Sequence, residues 1–258
     1  MSDKNDANIQ QAPFEDKTSA VSAEVEKLSY EKASNPHEKH RLRMKDRYQK
    51  NGFKGFSPHE ILEFILFYSI PYKDTNALAH DLVARYGSFA NILEADLYDL
   101  KKTKGVGEHT ALFLSMLPEL FQYYRLDKRK ENELLDTTEA LGAYGTDLFI
   151  GHSRETFYVL CLNSKNYLLQ AAMIDEGTSS EVNIYISHVV EVVLRYKAKK
   201  VVLMHNHPSG NPHPSKADMD LTNNLRAALE GIGISVIDHL IICGEKYTSF
   251  AEKGLLPR

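Results

Sequence analysis

Lys200-Val201-Val202-Leu203-Met204-His205-Asn206-His207-Pro208-Ser209-Gly210-Asn211-Pro212-His213-Pro214-Ser215-Lys216-Ala217-Asp218 is the stretch on which the reading of this 258-residue chain turns. Its apolar opening, Val201 to Met204, reads as a buried β-strand. Side chains two apart on a strand share a face, so His205 and His207 project together from the strand's end. Asp218 follows eleven positions after His207, beyond a loop held by Pro208, Pro212 and Pro214. Two imidazoles and one carboxylate form a ligand set for zinc that leaves a fourth position open, which a catalytic site needs and a structural one lacks. The blander alternatives are strand-end histidines without a ligand, and a helix start in which Ser215-x-x-Asp218 is a capping box, although such boxes usually carry Glu or Gln. Taken singly, each feature favours the bland reading.

Outward from this stretch, helix and strand patterns alternate. Leu134–Phe149 reads as a helix, and Glu155–Leu162 and Tyr167–Ile174 as a hairpin turning at Asn163-Ser164-Lys165-Asn166. Ile186–Tyr196 is helical, Lys200–Met204 a strand, Ser215–Leu229 a helix and Ile234–Cys243 a strand, with Tyr247–Phe250 a short closing strand. The expected fold class is α+β or α/β, with helices covering a mixed sheet. Upstream, the patterns are helical only. Ser57 with Pro58 marks an N-terminus. A helix over Thr75–Tyr86 ends at Gly87. Phe89–Glu94, Leu97–Lys101 and Thr110–Tyr124 follow. The expected organisation is a disordered tail over 1–35 with a short helix near Val21–Leu28, a helical domain over 36–126, a charged linker over 127–138, and the α/β domain over 139–258.

Composition narrows the class. Hydrophobic residues make up 43%, enough for real cores, and the net charge of −4 argues against a protein coated in nucleic acid. The two cysteines, Cys161 and Cys243, lie in apolar strand-like runs and read as reduced core residues. No disulfide framework follows, which fits a cytoplasmic protein. No stretch approaches the ~18 apolar residues that span a bilayer, so no membrane partner is expected.

The implied chemistry is hydrolysis. Zinc lowers the pKa of bound water towards ~7. A carboxylate beside the metal must then take the water's proton, and a donor must hold the developing oxyanion. Ser215 is a candidate for that donor, since Asp218 in a helix's first turn puts Ser215 at the N-cap beside the same pocket. The residues alone do not choose the base among the many carboxylates.

At H-N-H-P-S-G-N-P-x-P-S-x-x-D the chain resembles the JAMM (MPN+) metalloprotease signature, in the spelling of its bacterial RadC-like branch. The family's Glu opens a strand in an Arg-Glu-x-Phe context. Arg154-Glu155-Thr156-Phe157 matches it fifty positions before His205. The resemblance thus implies Glu155 as general acid/base, Ser215 as oxyanion donor, His205, His207 and Asp218 as zinc ligands, and a cytidine-deaminase-like sheet. Asp238-His239-Leu240-Ile241 matches the family's D-H-x-I strand, and Thr222 the helix after the motif. The resemblance runs over about 36–258. One departure is Tyr185-Ile186-Ser187-His188-Val189, where the family usually carries Pro-Arg-Glu. The implied activity is cleavage of an amide or isopeptide bond in a protein or peptide substrate. The walls of the pocket are expected from Asn206–Pro214 and Gly177–Tyr185, with no large insertion to grip a ubiquitin-like protein.

A second feature points to DNA. Thr103-Lys104-Gly105-Val106-Gly107-Glu108-His109-Thr110 resembles a helix-hairpin-helix, whose glycines let backbone amides approach a phosphate without reading bases. Lys104, Gly105 and Gly107 are the candidate contacts. Residues 39–54 carry seven positive charges against one negative, a cluster that attracts phosphate by counterion release. Against this, Glu108 sits at the mouth of the turn, and such hairpins also serve purely as packing units. The family's name records an old link to DNA repair. Three readings therefore stand: a zinc hydrolase, a DNA-binding accessory protein of repair or recombination with a secondary metal pocket, and a metal-stabilised interaction module without turnover.

Overall fold

The computed structural model describes residues 36–129, 132–177 and 184–256. The expected tail and its helix near Val21–Leu28 lie outside the described residues, as does most of the expected wall over 177–185. The chain divides after Asp81 into two compact units.

The first unit holds α1 (Pro36–Asn51), α2 (Pro58–Ser69) and the start of α3 (Asn76–Tyr86). Met44 of α1 packs with Phe64 and Phe67 of α2, and Phe56 closes the cluster. At the start of α2 the Ser57 amide donates to Glu60 Oε2 at 2.8 Å, with Pro58 in the first helical turn. Part of the basic run is used inside this unit. Arg47 grips both Glu60 oxygens at 2.8 and 2.9 Å, its guanidinium 3.7 Å from the centre of the Phe56 ring. Arg41 donates to the carbonyls of Phe67 and Ile70 at 3.3 and 2.6 Å, acceptors that the end of α2 leaves open, and to that of Lys73 in the following loop at 2.5 Å.

The second unit begins with the rest of α3 and continues with α4 (Phe89–Leu93), α5 (Leu97–Leu100) and α6 (Glu108–Asp127). Then come α7 (Thr138–Leu148), β1 (Thr156–Leu162), β2 (Leu168–Glu176), α8 (Ile186–Arg195) and β3 (Lys200–Asn206). It ends with α9 (Lys216–Glu230), β4 (Ser235–Cys243) and β5 (Lys246–Ser249). The strands form one five-stranded sheet in the order β2-β1-β3-β4-β5. Only β3 and β4 are parallel, joined by the crossover helix α9; the other pairs are antiparallel. This is the expected mixed sheet with helices on it, preceded by helices alone.

Alternation along β1 and β3 sorts their side chains between two cores. Phe157, Val159, Cys161, Val201 and Leu203 face Val189, Val193, Leu225 and Leu229 of α8 and α9. Leu160, Leu162, Val202 and Met204 face Leu141, Tyr144 and Leu148 of α7. Because both faces are covered, these strands read as unbroken apolar runs. Cys161 is buried in the first of these cores, and neither cysteine is in a disulfide.

The helix expected over 134–149 starts later. Leu134 bridges to Tyr167 at the hairpin, and Thr137 caps α7, its hydroxyl accepting from the Ala140 amide at 3.2 Å. The apolar Leu134-Leu135 pair mimics a helical face, but the cap decides where the helix begins. The charged segment before it is anchored: Arg129 donates to Asp147 of α7 at 2.6 and 2.9 Å, and Arg125 to the same carboxylate at 2.7 Å. No helix among the described residues is long and apolar enough to cross a membrane.

Candidate metal centre

The end of β3 sits inside the sheet, with Phe157 of β1 opposite His205 on one side and Ile241 of β4 opposite it on the other. β3 runs two residues beyond the expected Met204, so His205 and Asn206 are strand residues and His207 is the first residue past it. His205 is 1% exposed. The loop after His207 leads into α9, whose first turn carries Asp218. Antiparallel pairing of β1 with β3 returns Glu155, just before β1, to the same end of the sheet. Glu155, His205, His207 and Asp218 thereby place one ligand atom each within 4.8 Å of all the others.

The two Nε2 atoms lie 2.9 Å apart. His205 Nε2 is 3.2 Å from one Asp218 oxygen and His207 Nε2 is 3.6 Å from the other. The remaining polar atoms of these ligands are engaged elsewhere. His207 Nδ1 donates to the Asn211 carbonyl at 2.7 Å, which leaves Nε2 as the ligand atom. Asp218 Oδ2 accepts the Ser215 amide at 2.7 Å. Donors converging on one point with their other sides satisfied suit a cation, and two imidazoles with a carboxylate suit a borderline metal. Fit therefore favours a metal here.

Electrostatics agree. Burial would raise the Asp218 carboxyl, but the two imidazoles beside it outweigh burial and hold it far below the ordinary carboxylate range. Asp218 in turn raises His207 above its ordinary value. Burial pushes His239 well below the ordinary histidine value, so this ring is neutral.

Ser215 serves as the N-cap of α9. Its hydroxyl accepts the Asp218 amide at 3.1 Å, completing the capping box that the sequence suggested. Cap and site are one arrangement, because the box fixes Asp218. The Ser215 hydroxyl hydrogen has no acceptor among the described residues, and the side chain lines the cleft of about 860 Å³ that also holds Glu155, His205, His207 and Asp218. The Glu155 carboxylate likewise has no hydrogen-bond partner among the described residues. His213 lines the cleft without joining the cluster.

The sequence reading took Asn206 only as the start of a pocket wall and missed its part in holding the site together. Asn206 is 5% exposed and its amide is nearly saturated: Oδ1 accepts the Thr156 amide at 2.7 Å, and Nδ2 donates to the His152 and Arg154 carbonyls at 3.1 and 2.9 Å. It therefore staples the segment bearing Glu155 to the strand bearing the histidines. Its place between two histidines was the only sequence signal for it.

The candidate DNA contacts lie in another part of this unit. Gly105 adopts a left-handed φ of 94°, which favours glycine, and Gly107 caps α6 with no side-chain acceptor. Lys104 is exposed, while Lys101 pairs with Glu108 at 3.6 Å.

Comparison with known proteins follows the same lines. Residues 135–255 match the model of the RadC-like JAB domain. A UPF0758 protein of Fusobacterium nucleatum is 35% identical over 225 residues, covering 84% of this chain and 97% of that protein. Another from Ruegeria pomeroyi is 33% identical over 217 residues, with 84% and 97% covered, and one from Rhodobacter capsulatus is 33% identical over 213 residues, with 83% and 100% covered. With relatives matched at this identity over nearly their whole length, the chain belongs to the RadC-like UPF0758 family, its C-terminal half being a RadC-like JAB domain.

Proposed function

We propose that this protein is a zinc-dependent hydrolase that cleaves an amide or isopeptide bond in a protein or peptide. The observation that carries it is a carboxylate, Glu155, held within the cluster of His205, His207 and Asp218 yet unclaimed by other residues described. JAB domains are associated with metallohydrolases, which supports the reading. His205, His207 and Asp218 hold the zinc. When bound, zinc supplies Lewis acidity and acidifies a water. Glu155 takes the attacking water's proton and passes it to the departing amine. The Ser215 hydroxyl turns its free hydrogen towards the carbonyl oxygen as negative charge grows there. The wall of the cleft on the Pro208–Pro214 side is short, which suits an extended peptide. The protein works in the cytoplasm in this reading.

Replacing Glu155 with Gln tests it. The variant keeps zinc and loses roughly 10²- to 10⁴-fold in turnover, the range for removing a general acid/base. Turnover unchanged by Glu155→Gln contradicts the reading and leaves a binding module.

A second reading rests on the turn before α6, where uncapped amides and the exposed Lys104 suit a phosphate, while Lys102 nearby pairs with Asp99 at 3.3 Å. In it the protein is a DNA-binding accessory factor and the pocket is secondary. Arg41 and Arg47 add less than the charge count suggests, because both guanidinium groups bond within the first unit. Duplex binding at several salt concentrations decides: affinity that falls with salt and is lost in Lys104→Glu supports it, and no affinity at low salt removes it.

A further inference from the structure

Behind His205 two side chains, His239 and Thr222, continue a buried chain of contacts that returns to the backbone of Asp218. His205 Nδ1 lies 2.8 Å from His239 Nε2. His239 Nδ1 lies 2.6 Å from the Thr222 hydroxyl, and that hydroxyl lies 2.5 Å from the Asp218 carbonyl oxygen. Each link is buried: Thr222 is 1% exposed and His239 0%. Water therefore does not complete any of these bonds.

The direction of the chain can be worked out from its far end. A carbonyl oxygen only accepts, so the Thr222 hydroxyl spends its single hydrogen on Asp218. The hydroxyl must then accept at its other contact, which puts a hydrogen on His239 Nδ1. His239 has no exposed surface and no carboxylate bonded to it, so it is neutral and carries one hydrogen only. Its Nε2 is consequently an acceptor, and His205 Nδ1 must donate to it. Phe157 and Phe250 hold the rings in place, stacked on His205 and His239 with centroids 6.1 and 4.6 Å away.

We infer that Thr222 and His239 are positioning residues that fix the hydrogen of His205 on Nδ1, so that Nε2 is the atom offered to the metal. This rests on the zinc reading above for its purpose but not for its geometry. The device differs from that at His207, where one backbone carbonyl does the same work. It also ties two ligands together: Thr222 bonds to the backbone of Asp218, so one hydroxyl sets the tautomer of one ligand and braces the helix turn of another.

The test uses the full chain in two arms. Histidine nitrogen NMR on the metal-free protein at mildly alkaline pH reads the tautomers directly. The inference expects both His205 and His239 to carry hydrogen on Nδ1. A His205 with its hydrogen on Nε2 overturns it. The second arm measures zinc affinity by competition with a chromogenic chelator. Thr222→Val, nearly the same shape without the hydroxyl, weakens zinc roughly 10- to 100-fold, the usual cost of losing such an outer partner, and Thr222→Ser restores it. Equal affinity of the Val variant and the wild type overturns the inference. If the Val variant fails to fold, the NMR arm on the wild type decides alone. A wild type with the expected tautomers that binds no zinc sinks the hydrolase reading and leaves the relay standing.

Discussion

Asn206 shows how much of this site depends on residues that touch no candidate ligand. Its amide satisfies one backbone N–H and two carbonyls in the segment that carries Glu155. Asn206→Ala strands these groups, at about 1–3 kcal/mol for a buried unsatisfied partner. Because the Asn206 side chain bonds only to the segment around Glu155, the variant should keep zinc while turnover falls, and denaturant unfolding with metal analysis checks both. His205, His207 and Asp218 were legible in the sequence because strand periodicity and a capping turn are local. Glu155 was accessible only through resemblance, since fifty residues and a β1–β3 pairing separate it from the histidines. The bonds made by the Asn206 amide, and the orientation of the His239 ring, were not legible. Each is defined by partners on another strand or helix.

Elements are specified by caps and by close approaches. At α2, Arg47 and the Ser57 amide bond to the Glu60 carboxylate and hold its pKa at about 2, against an ordinary 4.5. A depressed pKa contributes stability that is complete above the ordinary value and is lost as pH falls towards the folded one. The first unit should therefore lose urea resistance between about pH 4.5 and about pH 2, and Glu60→Gln should flatten that fall. An unchanged acid profile in the variant contradicts the assignment. At α7 the limit is space. A Cβ on Gly145 would come 2.6 Å from Ile242 Cδ1 and 3.3 Å from Met204 Sδ, both in the core. Gly145→Ala should cost about 1–3 kcal/mol in denaturant unfolding, the usual penalty for overpacking. Sequence patterns marked these elements well where a cap was explicit, as at Ser57-Pro58. They failed at Leu134, whose apolar character suits a β-bridge as well as a helix.

At the scale of the molecule, the metal should act as part of the fold. On the proposed reading it binds the native cluster and not the unfolded chain, so it would stabilise by mass action, by about 2.7 kcal/mol at a free concentration one hundred times the dissociation constant. Thermal unfolding with and without chelator should show that gain in the wild type and its loss in Asp218→Asn. The sheet order brings three separate segments together: the entry to β1, the end of β3 and the first turn of α9. That convergence is the central claim, and metal content tests it most directly. Protein purified without chelator and analysed by mass spectrometry should carry one zinc per chain in the wild type and in Glu155→Gln, and little in His205→Ala. A wild type without stoichiometric metal, or a His205→Ala variant that holds as much as the wild type, would contradict it.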